Sequence, residues 1–568
     1  MQKLKIPLFI ILPFLAFGAS LFHGFAPVDD SFLIVENLAI RAINWENLKH
    51  FFTTYDPELY IPLVFVSFQF NYLIGELAPF NYHLTNILIH IINALLVTRI
   101  LMQLLASNKS NASENEDVNC QLPVLSGVEV SIVNCSSRKA QLALFGGLIF
   151  AIHPLNTEAV VWLAGRKDLL SGLFFFASLT FYLDFIKGNR KAYWLSITMF
   201  LLALLSKVIA VTLLGILILH WLLLRTRTRK PSPITIVPYL ILTLIFVVVA
   251  LGGKARVIAS VTLIDKILVA CKSTIFYIYK FLIPNDLTII YPLQGDISLT
   301  DMRILPSVIL AIILIMIAIK SLKKHPVITF GIGWYLVTLA PTYLNIGKAN
   351  LVFFAVDRYA YLPMVGLLIV LVYIYKSIRP IARSTIIIIL IVLSINQTNT
   401  WKTPDGVFRR TLSIYPESVG ARVGLATILR HQNKFEEAFK VITEGVKYMD
   451  HSLLHMNAGF VYAATGQVTD AEERFRTAIN MDPNNPEPYF SLGSLFEQTG
   501  RSDEAISFYE KAVELDGSYV IARAKLGNLY LKKNQTDKAR EQFEKALEWN
   551  KFSVEANEGI RRIQDASI

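Results

Sequence analysis

Two adjacent acids, Asp29 and Asp30, stand in the stretch VDDSF, a few residues after the first apolar run of the chain. A carboxylate at the water edge of a membrane can take a proton from an incoming hydroxyl. Neighbouring carboxylates repel, which raises the proton affinity of one of them; the pair alone does not say which. Residues able to receive a phosphate are far away in the chain: Arg166 in HPLNTEAVVWLAGRKDLLSG, Lys207 in LLSKVIAVT and Arg358 in FFAVDRYAYLP. Such cations stabilise the charge that develops on a phosphate when a bond to it breaks. His153, Glu158 and Asp357 lie in the same stretches and are candidates to line a substrate. In PFNYHLTNILIHIINALL the polar residues His83, Asn86, His90 and Asn93 recur at spacings that put them on one face of a helix. His83 is nearest the outer end and is the best substrate contact of the four, with Asn86 beside it. Each of these residues also has a plain reading, as a hydrogen bond between packed helices, a snorkelling side chain or a loop ion pair. Their shared sidedness is what favours chemistry: Asp29, Asp30, Arg166, Lys207 and Arg358 can gather at one mouth.

The elements that must position them are apolar helices. Of 568 residues, 54% are hydrophobic and 17% charged, with a mean hydropathy of +0.48, too apolar for a soluble chain of this length. A bilayer-crossing helix needs about 20 mostly apolar residues, and spans are expected near 4–22, 81–105, 141–155, 168–187, 190–206, 207–225, 234–252, 303–322, 325–345, 357–376 and 383–400. The first is read as a retained span rather than a cleaved leader, because so many spans follow. Residues 59–77 and 262–283 are read as interfacial helices, since counting either as a span inverts every later loop. The second also carries Asp265, Lys266, Lys272 and Lys280, which suits an interface better than a bilayer core. Beyond residue 400 the chain carries 22 Lys and Arg against 24 Asp and Glu, so the overall net charge of +11 becomes +13 in the first 400 residues. That excess fits cytoplasmic loops and calls for no nucleic-acid partner. With eleven spans the basic clusters fall inside, the N-terminus is cytoplasmic, the polar insert at 106–140 is cytoplasmic, and everything after residue 400 faces outside. Cys120, Cys135 and Cys271 imply no disulfide framework.

The tail repeats itself every 34 residues. Gly459, Gly493 and Gly527 recur at that interval, as do Ala471, Ala505 and Ala539; Phe475, Tyr509 and Phe543; and Ala478, Ala512 and Ala546. Ala438 opens a divergent copy 33 residues earlier. Small residues let paired helices approach and an aromatic fills the gap between repeats, the pattern of tetratricopeptide (TPR) repeats that stack into an α-solenoid with a concave groove. The groove is either a partner site or part of a folded spacer. The expected fold class is therefore all-α: a polytopic transmembrane bundle over 1–400 and a TPR solenoid over 401–568.

The stretches DDSFLIVEN, YIPLVFVSFQFNYLIG, NYHLTNILIHIINALLV, HPLNTEAVVWLAGRKDLLSGLFF, LLSKVIAVTL and DRYAYLP, followed by the repeats, resemble in order the membrane O-mannosyltransferases with tetratricopeptide tails, of the GT-C glycosyltransferase class. The likeness covers nearly the whole chain apart from 106–140. One departure is visible: where many relatives read Tyr-Arg-Pro-Leu, this chain has Tyr60, Ile61, Pro62 and Leu63. The resemblance implies inverting transfer of a sugar, mannose by family, from a polyprenyl-phosphate donor in the membrane to a hydroxyl of an acceptor polypeptide on the outer face. It gives Asp29 or Asp30 the role of base and leaves the donor phosphate to Arg166, Lys207 and Arg358. No metal is required, although an Asp pair can hold a divalent ion weakly. Two other classes stay open: a non-catalytic membrane scaffold whose repeats recruit partners, and a lipid or sugar carrier.

Overall fold

The computed structural model describes residues 5–26, 29–55, 60–106, 138–224, 232–254, 262–293, 297–344, 347–348, 351–375 and 379–565. Most of the insert expected at 106–140, with Cys120 and Cys135, lies outside the described residues, as does RTRTRK at 225–230, one of the basic clusters expected inside. The chain forms two compact units, Met1–Val407 and Phe408–Ile568.

In the first unit a helix stands at each of the expected spans: Lys5–Phe17, Pro79–Ala106, Arg138–Ile152, Arg166–Ile186, Arg190–Ser206, Thr212–Leu223, Val237–Lys254, Leu305–Lys324, Pro326–Leu339, Pro363–Ile374 and Pro380–Asn399. The two stretches read as interfacial are also helical, Pro62–Gly75 and Leu263–Leu282. Several helices open on proline, whose fixed φ and missing N–H suit a first helical turn. Thr262 and Asp265 form a reciprocal capping box at the start of Leu263–Leu282. Five helical segments are long and apolar enough to cross a membrane, Pro79–Leu105, Leu163–Ile186, Pro233–Gly252, Leu305–Lys324 and Pro380–Asn399; a sixth is added if Arg138–Ile152 and Pro154–Val161, bent by 48°, count as one span. The protein is a membrane protein by this measure. The full count of eleven depends on shorter apolar helices such as Pro7–Phe22, Val208–Leu223 and Pro363–Ile374 also crossing.

Burial separates the centre of this unit from its rim. Leu163–Ile186 is mostly enclosed, whereas Leu305–Lys324 shows its isoleucines outward, as a lipid-facing helix must. The polar face of Pro79–Ala106 points into the centre. His90 bonds the Tyr361 hydroxyl at 2.9 Å and the Ala151 carbonyl at 3.1 Å, and Asn93 donates to Leu169 O and to the Tyr361 hydroxyl, both at 2.9 Å. The plain reading of this face, hydrogen bonding between packed helices, holds for these two residues. Three short strands, β1 Tyr291–Pro292, β2 Gly347–Lys348 and β3 Leu351–Ala355, form an antiparallel clip in the order β1-β3-β2, with Tyr291 opposite Ala355. The clip delivers the chain to Asp357 and Arg358.

The second unit is the expected repeat array. Helix pairs Val419–His431 with Phe435–Tyr448, Ser452–Ala464 with Val468–Met481, Pro486–Gln498 with Ser502–Leu515, and Val520–Lys532 with Thr536–Trp549 are followed by Val554–Asp565. Every repeat alanine and aromatic identified by the 34-residue period is buried. A Cβ on Gly459, Gly493 or Gly527 would come within 2.8 Å of the ring of Phe475, Tyr509 or Phe543, so close helix approach requires glycine there. The turn inside each pair uses a positive φ, supplied by Asn433, Gly466, Gly500 and Asn534.

Candidate active site

The two adjacent acids part company. Asp30 is buried, its Oδ2 accepting the Ala26 N–H at 2.8 Å and its Oδ1 the Ala164 N–H at 2.9 Å. Burial pushes its carboxyl up to about 7; the two N–H donors restrain the rise, Asp29 adds to it, and Lys167 opposes it. A single π-helical turn, Ser31–Val35, follows and buries Leu33 and Ile34, which holds this loop down. Asp29 points away, with its side chain 41% exposed and Oδ2 3.4 Å from Lys167 Nζ.

The turn at Leu163–Gly165 sets the cations. A Cβ on Gly165 would sit 2.6 Å from the Ala159 carbonyl oxygen, so only glycine lets the chain double back this tightly before helix Arg166–Ile186 begins. Successive residues then point about 100° apart around the helix, and three consecutive charges take three directions. Arg166 turns inward and is fully buried: Nε donates to Asn86 Oδ1 at 2.8 Å, Nη2 to Tyr82 O at 2.7 Å, and Nη1 to Asn71 Oδ1, with its guanidinium 4.8 Å from the Phe68 ring centre. Lys167 turns towards Asp29. Asp168 receives Lys207, Nζ to Oδ1 2.5 Å, while its Oδ2 has no hydrogen-bond partner among the described residues.

Two aromatic rings string the remaining cations together. Lys167 Nζ lies 5.1 Å and Arg358 Cζ 5.0 Å from the centre of the Trp162 ring; Arg358 Cζ lies 5.4 Å and Lys207 Nζ 5.8 Å from the Tyr359 ring centre. Such contacts favour a cation when water is excluded. Each cation also has its own acid: Lys167 has Asp29, Lys207 has Asp168, and Arg358 has Glu158. Glu158 accepts from both the backbone N–H of Arg358, at 2.7 Å, and its guanidinium. The result is a row of three cations and three carboxylates, with Asp29 the most exposed acid.

Of the residues expected at the site, Asp29, Lys207, Arg358 and Glu158 belong to this row. Arg166 is beside it in sequence but is consumed by its own buried acceptors. Asn86 is its partner and also donates to the carbonyls of Val160 and Trp162, both at 3.2 Å. Asp357 accepts the Tyr291 hydroxyl at 2.7 Å and ties the strand clip. His153 stacks on Phe281 and bonds its carbonyl at 3.0 Å. His83 is buried edge-on to His23, with ring centres 6.2 Å apart. Sequence reasoning did not select Lys167, Asp168, Trp162 or Tyr359. Lys167 was visible inside RKD, but nothing in the spacing tells which of three consecutive charges faces a neighbour.

A polytopic helical unit with a row of ion-paired cations, followed by a TPR solenoid, defines a membrane protein with a repeat tail. Tetratricopeptide repeat models match residues 458–520 and 496–557. Over the longer reach, the chain is similar to protein O-mannosyl-transferase TMTC3 of Homo sapiens, 23% identical over an alignment 478 residues long that covers 75% of this chain and 48% of that protein. Protein O-mannosyl-transferase Tmtc3 of Drosophila melanogaster is 33% identical over 172 residues, 28% of this chain and 17% of that protein. The chain thus spans about half the length, or less, of these relatives. Among solved structures, a thermophilic TPR protein of Thermus thermophilus is 20% identical, covering 32% of this chain and 94% of its own, with a TM-score of 0.26. The resemblance to membrane O-mannosyltransferases with TPR tails therefore extends across three quarters of the chain.

Proposed function

We propose that the protein is a glycosyltransferase that moves a sugar, mannose by likeness to its relatives, from a polyprenyl-phosphate donor to a Ser or Thr hydroxyl of a polypeptide on the outer face of the membrane. The observation that carries this reading is the row of Lys167, Arg358 and Lys207 along Trp162 and Tyr359, with the accessible carboxylate of Asp29 at one end. The acceptor oxygen forms a bond to the anomeric carbon as the bond from that carbon to the phosphate oxygen breaks. The bonding pair leaves on the phosphate, where the cations stabilise it. The hydroxyl proton passes to the Asp29 carboxylate, and attack from the face opposite the leaving group inverts the anomeric configuration. Asp30 is the positioning residue of this pair, because both of its oxygens already hold backbone amides. The sequence-based assignment of Arg166 to the phosphate passes to Lys167 in this reading, and the mechanism calls for no metal.

The TPR groove is the proposed dock for the acceptor polypeptide, and the tail is proposed to lie on the outer face. Cysteine labelling of intact cells tests the sidedness: a cysteine at Ser502 is expected to react with an impermeant reagent, and its protection would overturn the outer placement. The activity is tested by incubating purified full chain with polyprenyl-phosphate-linked radiolabelled mannose and Ser/Thr-containing peptides. Label is expected on the peptide, in a bond that β-elimination releases. Failure of every sugar donor and acceptor would leave the membrane scaffold as the better reading.

A further inference from the structure

The row of charges at the site is balanced, and that poses a physical problem for an anionic ligand. Each cation already has a carboxylate, so a phosphate can gain a cation only by displacing an acid or by adding to the repulsion. The three pairs are not equally easy to open. Glu158 and Asp168 have side chains only 2% and 6% exposed, and losing their cations would strand a buried charge. Glu158 is further fixed by the Arg358 backbone N–H, and Asp168 has no other partner for its second oxygen among the described residues. Asp29 differs in every respect: it is 41% exposed, its separation from Lys167 is the longest of the three at 3.4 Å, and water can take over its solvation when it lets go. Lys167 is well placed for the exchange, because its ammonium is held near Trp162 beside Arg358 and feels the charges of both Arg358 and Lys207.

We infer that Lys167 exchanges counter-ions: it holds Asp29 while the site is empty and passes to the phosphate of a polyprenyl-phosphate ligand when that ligand arrives, freeing the Asp29 carboxylate. The inference rests on the transferase reading above and adds an order of events to it. Before the donor arrives the Asp29 carboxylate is paired with Lys167; afterwards it stands unpaired at the accessible end of the site, open to an acceptor hydroxyl. Donor loading and base activation are then one event, and a hydroxyl, or water, reaching the empty site meets a carboxylate that is still occupied.

Equilibrium binding of a polyprenyl monophosphate lacking sugar, to the full chain in detergent, tests this without turnover. Asp29→Asn removes the competing anion and is expected to tighten binding roughly two- to fivefold, the scale of a partly exposed ion pair. Lys167→Gln is expected to weaken it by about tenfold or more, through loss of a charge-assisted contact. Added to Lys167→Gln, Asp29→Asn should change nothing, because the partner it competed for is gone. Lys167→Arg, which keeps the charge, should bind within a few-fold of the natural protein and guards against a folding defect in Lys167→Gln. Unchanged or weaker binding by Asp29→Asn overturns the exchange while leaving the donor assignment standing. Equal tightening by Asp29→Asn with and without Lys167 also overturns it, since the effect would then be general repulsion. If the natural protein and every variant fail to bind the polyprenyl phosphate, the donor reading falls and the exchange with it.

Discussion

The carboxylate of Asp30 holds the backbone amide of Ala164 at 2.9 Å across 134 residues of chain. The bond joins the loop that carries Asp29 to the turn from which Lys167 departs, so the two charges face each other because a third residue clamps their backbones.

Asn variants of the two acids are therefore expected to fail differently. In Asp30→Asn the new amide N–H₂ must face one of the two backbone donors, leaving it buried and unpaired at a cost of about 1–3 kcal/mol. Thermal unfolding in detergent should show that loss. Asp29→Asn removes the acid partner of Lys167 from a half-exposed pair and is expected to cost no more than about 1 kcal/mol, while sugar transfer falls on the order of 10²-fold. Near-normal transfer by Asp29→Asn would remove it from the role of base.

The pH dependence of stability carries a signature of Asp30. Its carboxyl lies at about 7 in the folded chain against 3.8 for the unperturbed group, chiefly through burial. The folded state keeps a proton that the unfolded state has lost, so this contribution to stability is greatest below pH 3.8, declines as pH rises to about 7, and is flat above. The decline amounts to about 4 kcal/mol on the linkage of about 1.36 kcal/mol per unit. Asp30→Asn should abolish that slope; an unaltered slope in the variant would assign the titration elsewhere.

Arg166 should behave as a structural cation. Arg166→Lys keeps the charge but cannot reach Asn86, Asn71 and Tyr82 together. Leaving a buried acceptor unpaired is expected to lower stability by about 2 kcal/mol or more, with the polyprenyl monophosphate affinity of the folded protein changed by less than about twofold. Normal stability with lost affinity would return Arg166 to the phosphate site.

Arg358 combines both roles, and a pair of variants separates them. Arg358→Ala leaves Glu158 buried without its cation, which is expected to cost about 3–5 kcal/mol. Adding Glu158→Gln should restore much of that stability by removing the stranded charge, while polyprenyl monophosphate affinity stays low. Recovery of affinity together with stability would show that Arg358 acts only by pairing with Glu158.

The repeat tail was legible because its signal is periodic: glycine, alanine and aromatic positions at 34-residue intervals each answer to one packing contact, and the structure buries them all. Apolar runs located the membrane helices for a similar reason, since length and hydropathy are properties of a segment rather than of a fold. The stretches that carry Asp29, Glu158, Lys207 and Arg358 were legible as chemistry. Their roles were not, because adjacent residues on a helix or tight turn diverge by about a third of a circle. Asp29 and Asp30 are alike in type and neighbourhood, yet one faces water and the other two backbone amides. Arg166 and Lys167 are alike in charge, yet one is locked on Asn86 and the other meets Asp29. Sequence determined which charged stretches carry the candidate chemistry; tertiary packing decided which of each pair is buried, because deciding partners such as Ala164 for Asp30 and Tyr82 for Arg166 come from segments far away in the chain.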